Sequence, residues 1–195
     1  MNERSRFVFH AFVVAVILTL IAVGSPGTRA TASGSDPTVV VPFGAAGYKY
    51  QVVPTDEGVG FERPDFDDSA FAVGDAGFGT REGYCPLNNP DAVKTDWPVG
   101  TDLLVRKTLD LPAGTTDVVV DVAVDNDVQV FVNGYDISGG LQTHEDCPDV
   151  DFVFAVPDSV LRAGTNLLAV RARDRGILAF LDLSVTRRSR LRLGK

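Results

Sequence analysis

Apolar side chains occupy alternate positions through Val118, Val120, Val122 and Val124, with Asp121 and Ala123 among the residues between them, and again through Val128, Val130 and Val132. A period of two places such residues on one face of a β-strand, so the pattern predicts two half-buried strands. Between them lies Asp125-Asn126-Asp127, a cluster that favours turns because short polar side chains bond neighbouring backbone groups. The two runs are therefore predicted to be antiparallel neighbours. Asn133-Gly134 follows, and both residues tolerate the positive φ of a tight hairpin turn. A third β segment, Tyr135 to Ser138, is expected beyond it.

The same alternation appears more briefly elsewhere. Val39 to Val41 and Tyr48 to Val53 read as strands, and Asp102 to Leu111 places Leu103, Val105 and Leu109 on one face with Lys107 interrupting it. Val150 to Val156 sets Phe152 and Phe154 opposite Val153 and Ala155. Asp158 to Arg162 is expected to make one helical turn, capped by Asp158 and ended at Gly164. Leu167 to Arg173 and Ile177 to Thr186 are predicted to pair as a hairpin across Asp174-Arg175-Gly176. Residues 54–100 are rich in Gly, Pro, Asp and Asn and hold no sustained period, so long loops are expected there. No stretch sustains a helical period and none repeats. About eight strands fit an all-β, two-sheet antiparallel sandwich with jelly-roll topology.

The ends of the 195-residue chain change this picture. Arg4 and Arg6 precede an apolar run from Phe7 to Val23, and Ala30-Thr31-Ala32 supplies a small-residue cleavage site, so residues 1–32 are expected to be a secretory signal peptide. An uncleaved membrane anchor is the alternative reading of the same run. Residues 33–46 are expected to be a flexible leader, 47–186 the sandwich and 187–195 a basic tail. The formal charge is −8 for the whole chain. Removing Glu3, Arg4, Arg6 and Arg29 with the signal makes it −10, and setting aside the tail cations Arg187, Arg188, Arg190, Arg192 and Lys195 leaves −15 for the body. Such a body repels nucleic acid and anionic membranes. Export implies an oxidising compartment, where Cys85 and Cys147 are expected to pair.

Six segments, in this order, carry a family resemblance: FDDSAF at Phe66 to Phe71, GDAGFG at Gly74 to Gly79, TDW at Thr95 to Trp97, LLVRKTLDLP at Leu103 to Pro112, VDNDVQVFVNG at Val124 to Gly134, and LRAGTNLLAVRARD at Leu161 to Asp174. Together they resemble the galactose-binding-domain-like jelly rolls often appended to bacterial glycoside hydrolases and other secreted proteins. The resemblance spans Tyr48 to Thr186. It departs from the family at Phe71, where a Trp commonly follows Asp-Asp-Ser. What it implies is a carbohydrate-binding role, although the fold also serves purely structural modules.

Sugar recognition needs aromatic faces for the apolar side of a pyranose ring and polar groups for its hydroxyls. Tyr84, Trp97 and Tyr135 are the candidate platforms, with Arg81, His144 and Glu145 as hydrogen-bonding partners. A bridge between Cys85 and Cys147 would draw several of these together. Structural calcium is a further candidate, through Asp146, Asp149 and Asp151 or through Asp65, Asp67 and Asp68, although no dense calcium loop is present. No catalytic residues are identified: the chain past the signal holds one histidine, His144, and no nucleophile elbow or zinc ligand set. The expected protein is a secreted, non-catalytic module whose partner is carbohydrate or a cell-surface glycan. A structural module contacting another surface protein, and a hydrolase, are the other readings. Nucleic acid is not an expected partner, and membrane contact is expected only through an uncleaved signal segment.

Overall fold

The computed structural model describes residues 36–81 and 83–189. The signal segment, the start of the leader and the last residues of the basic tail lie outside them. The chain opens with β1 (Thr38–Val41), β2 (Tyr48–Val53), β3 (Ala72–Gly74), β4 (Phe78–Gly79) and β5 (Thr95–Asp96). The long strands follow as β6 (Asp102–Leu111), β7 (Thr115–Asp125) and β8 (Asp127–Val132), then the short β9 (Tyr135–Asp136) and β10 (Gln142–Thr143). β11 (Phe152–Val156), a 3-10 turn at Asp158–Val160, β12 (Gly164–Arg173) and β13 (Phe180–Ser189) complete the fold. One sheet runs β11-β7-β13-β4-β5 with β1 on β13, and the other runs β10-β8-β12-β6-β2-β3 with β9 on β8. The chain is an all-β, two-sheet sandwich, and from β6 onward successive long strands alternate between its sheets as in a jelly roll.

The alternating valines build the core from both sides. Val118, Val120, Val122 and Val124 face inward from β7 while Val128, Val130 and Val132 face inward from β8, and all seven are at most 2% exposed within one cluster. They are not antiparallel neighbours, as the sequence pattern suggested. β7 pairs with β11 and β13, and β8 pairs with β12, β9 and β10. Asp125-Asn126-Asp127 is therefore a corner that carries the chain from one sheet to the other. Alternation reports a buried face and not which strand lies alongside, so both arrangements satisfy the same pattern. The segment Asp174-Arg175-Gly176 is a second such corner: β12 pairs with β6 over ten residues whereas β13 lies in the opposite sheet. The predicted hairpin at Asn133-Gly134 does form, with φ of 53° and 84° and Val132 opposite Tyr135.

The strand limits extend past the expected domain ends. β1 pairs with β13 through Thr38 and Arg187, so part of the leader and the start of the basic tail belong to the sheet. The 3-10 turn at Asp158–Val160 has Pro157 at its N-cap with no side-chain cap bond, and so is shorter and differently started than predicted.

Part of the long loop region packs on the outer face of the β8-β12-β6-β2 sheet. Phe61 and Phe71 close a second apolar cluster with Val53, Leu104 and Ala169, and Phe66 and Phe131 pack at its margin. Arginines pin this layer. Arg106, only 5% exposed, binds Asp68 Oδ2 at 2.8 Å and donates to the carbonyls of Phe61 and Arg63. Arg171 donates to the carbonyls of Glu57 and Gly58, while Arg173 reaches Asp56 and the fully buried Asp102. Buried or half-buried guanidinium groups suit this role because their several donors satisfy loop carbonyls that would otherwise lack partners.

Candidate functional site

The two inter-sheet corners lie side by side. Asn126 N–H donates to Arg173 O at 3.0 Å, and Arg175 N–H donates to Asn126 Oδ1 at 2.8 Å. The Cys85–Cys147 disulfide, with a Cα–Cα distance of 5.2 Å, brings two loop segments to the same end of the sandwich. Between corners and disulfide is an open cleft of about 460 Å³ whose lining includes Tyr84, Asp125, Asn126, Glu145, Arg175 and Ile177.

Tyr84 is 99% exposed and Ile177 is 84% exposed, two apolar surfaces held out at one cleft. The Arg175 guanidinium is fixed beside them: Nη2 donates to Glu145 Oε1 at 2.8 Å and to His144 O at 2.9 Å, and lies 3.2 Å from Asp127 Oδ1. The hydrogen bond it donates to Glu145 raises the Arg175 pKa, so the group remains a cation. Burial, followed by the charge of Asp174, pushes Asp125 up from an ordinary 3.8 to about 6. Burial also raises Asp127 and Asp174. The cleft is thus acidic, with one cation that two carboxylates already compensate.

The six predicted ligand-binding residues divide sharply. Tyr84 and Glu145 line the cleft. His144 stands behind it, its N–H on Asn126 O and its Nε2 3.5 Å from Asp151 Oδ1. Arg81 binds Asp96 Oδ1 at 2.5 Å and the carbonyls of Val93 and Lys94, which holds the β4–β5 region together. Trp97 is 1% exposed in the main core with its indole N–H on Thr101 Oγ1, so neither ring face is free for stacking. Tyr135 is half exposed on β9, and the turn before it approaches Pro64 rather than the disulfide. The expectation that Trp97 is a ligand platform is corrected on burial, and Tyr135 is not among the cleft residues.

Arg175, Asn126 and Asp125 sit in segments that read from sequence as simple turns. The sequence signal for them is the charged character of both turns, Asp125-Asn126-Asp127 and Asp174-Arg175-Gly176. Of the calcium candidates, Asp68 is held by Lys49 and Arg106, Asp67 Oδ1 accepts the Ser69 N–H, and Asp151 Oδ2 accepts the N–H groups of Val124 and Asp149. Among the described residues no group of three or more acidic, histidine or cysteine side chains is placed to hold a metal.

No protein-family model matches the chain, and no curated protein sequence matches it. Solved structures do resemble it. A Bacteroides uniformis β-glucuronidase 2, covalently bound to cyclophellitol-6-carboxylate aziridine, matches at a TM-score of 0.54 and 13% identity over 78% of this chain. A Bacteroides vulgatus β-glycosidase matches at 0.50 and 21% over 77%, and the Ruminococcus gnavus β-glucuronidase at 0.52 and 13% over 78%. At such identities the likeness concerns the fold. The chain corresponds to 18%, 20% and 29% of those three chains, respectively.

Proposed function

We propose that the protein is a secreted, non-catalytic carbohydrate-binding module that holds a neutral sugar in the disulfide-clamped cleft. The observation that carries this reading is Tyr84, an almost fully exposed ring beside fixed polar groups. An exposed aromatic exacts a hydration cost that stacking against the C–H face of a pyranose removes. Arg175, Glu145 and Asn126 supply donors and acceptors for hydroxyls within the same cleft. The lining carboxylates Asp125, Glu145 and Asp146 disfavour a uronate, because a like charge would enter an already acidic space.

Two further observations support the reading. The fold neighbours are glycosidases that this chain matches over part of their length, and the galactose-binding-like modules that the sequence resembles accompany such enzymes. The disulfide accords with an oxidising, extracytoplasmic location. A glycan array tests the proposal: neutral glycans should be bound by the chain and lost in Tyr84→Ala, with affinity falling roughly tenfold for a stacking contact. An array with no signal above background would refute it. The alternative, a module docking another surface protein, draws on an apolar depression of about 330 Å³ where Phe43 and Val150 are half exposed.

A further inference from the structure

A further concavity lies elsewhere, on the outer face of the β2-β6-β12 sheet. It measures about 500 Å³ and collects three cations, Lys49, Arg106 and Arg162, against one carboxylate, Asp68. Asp68 is shared by Lys49 Nζ at 2.5 Å and Arg106 Nε at 2.8 Å. Lys107, also in the lining, turns its side chain to the opposite face of β6, where Nζ donates to Ala46 O and lies 4.4 Å from the ring centroid of the buried Tyr48. Asp75, the carboxylate that acts on Lys107, is outside the lining, and partial burial lowers the Lys107 pKa. Arg162 is exposed at the rim. A positive groove on a chain whose body carries −15 is a local reversal of field, and an entering anion would relieve it.

The remaining lining narrows the ligand. Thr108 and Thr165 present exposed hydroxyls, and Pro64 with Phe66 forms an apolar wall. The volume suits one or two sugar rings. Long polyanions such as nucleic acid would meet the acidic surface beyond the groove, whereas a small ligand feels the local charge. We infer that this groove binds a small sugar acid, its carboxylate on the Arg162 side and its hydroxyls on the threonines. It is a second site, with a charge preference opposite to that of the Tyr84 cleft.

The test uses the mature chain carrying Tyr84→Ala, which removes the cleft's platform and leaves the groove intact. Calorimetric titration is made with glucuronate, with glucose as its uncharged counterpart and with inorganic sulfate as a bare anion. Glucuronate should bind, more weakly in high salt, while glucose should not. Arg162→Gln should weaken glucuronate roughly threefold, the size expected for one partly exposed charge pair. Glucuronate binding no better than glucose, sulfate binding as tightly as glucuronate, or full affinity in a folded Arg162→Gln would each overturn the inference. Loss of neutral-sugar binding in the unsubstituted chain, with glucuronate binding kept in Tyr84→Ala, would instead refute the cleft and leave the groove standing.

Discussion

Asp102 is fully buried and holds Arg173 through two hydrogen bonds, at 2.8 and 3.0 Å, while also accepting the Asp56 N–H. Its removal leaves a largely buried guanidinium without its principal partner, so Asp102→Ala should cost about 3–5 kcal/mol in urea unfolding. Asp182 behaves in the opposite sense. Burial pushes it from an ordinary 3.8 up to about 6, even though its oxygens accept the N–H groups of Gly44 and Leu183. The folded state therefore binds a proton between pH 6 and about 4 that the unfolded chain does not. Stability should rise as pH falls from 7 to 5, with about 1 kcal/mol from this group. Asp125, Asp127 and Asp174 act in the same direction. Asp67, Asp68 and Asp136, whose pKa values are lowered, begin to oppose it only nearer pH 4. Asp182→Asn keeps the shape and removes the charge, so melting curves at pH 5 and 7 should lie closer together than in the unsubstituted chain.

At the scale of elements, the disulfide and the two corners define the candidate site together. Closing a loop with a sequence separation of 62 residues restricts the unfolded chain by about 4 kcal/mol in the entropic view. The double variant Cys85→Ser, Cys147→Ser should lose roughly that much and, if it still folds, should lose sugar binding before it loses its β circular dichroism. The 80–93 segment retains other anchors, since Asn88 donates to the carbonyls of Thr80 and Ala179 and Asn89 Oδ1 accepts two N–H groups. Much of this is legible from residue types: the strands from their period, the hairpin from Asn133-Gly134, the bridge from two cysteines in a chain whose start reads as an export signal. The corners were not legible, because Asp125-Asn126-Asp127 and Asp174-Arg175-Gly176 have the composition of hairpin turns. Whether a turn returns the chain within one sheet or carries it to the other depends on partners distant in sequence. Arg175 and Asn126 became visible as site residues only once those partners were placed. Trp97 illustrates the converse, since an aromatic in a loop-rich segment serves equally as a platform or as core.

For the molecule as a whole, the sandwich separates two kinds of surface. One end offers an acidic cleft with an exposed ring, and the outer face of one sheet offers a basic groove inside an otherwise acidic chain. The net charge legible in composition argues against a polyanion as partner, but its average conceals the groove, whose cations come from separate strands and loops. Asn133 and Asn166 help hold that region, bonded to each other at 2.8 Å and to the backbone of Val160, Arg162, Gly164 and Leu167. Neutral-sugar recognition at the cleft is tested most directly by backbone amide shift mapping as a neutral glycan from the array is added. Shifts concentrated at Tyr84, Asn126, Glu145 and Arg175, and absent in Tyr84→Ala, are the expected result. Shifts confined to other faces, or none at saturating glycan, would contradict it.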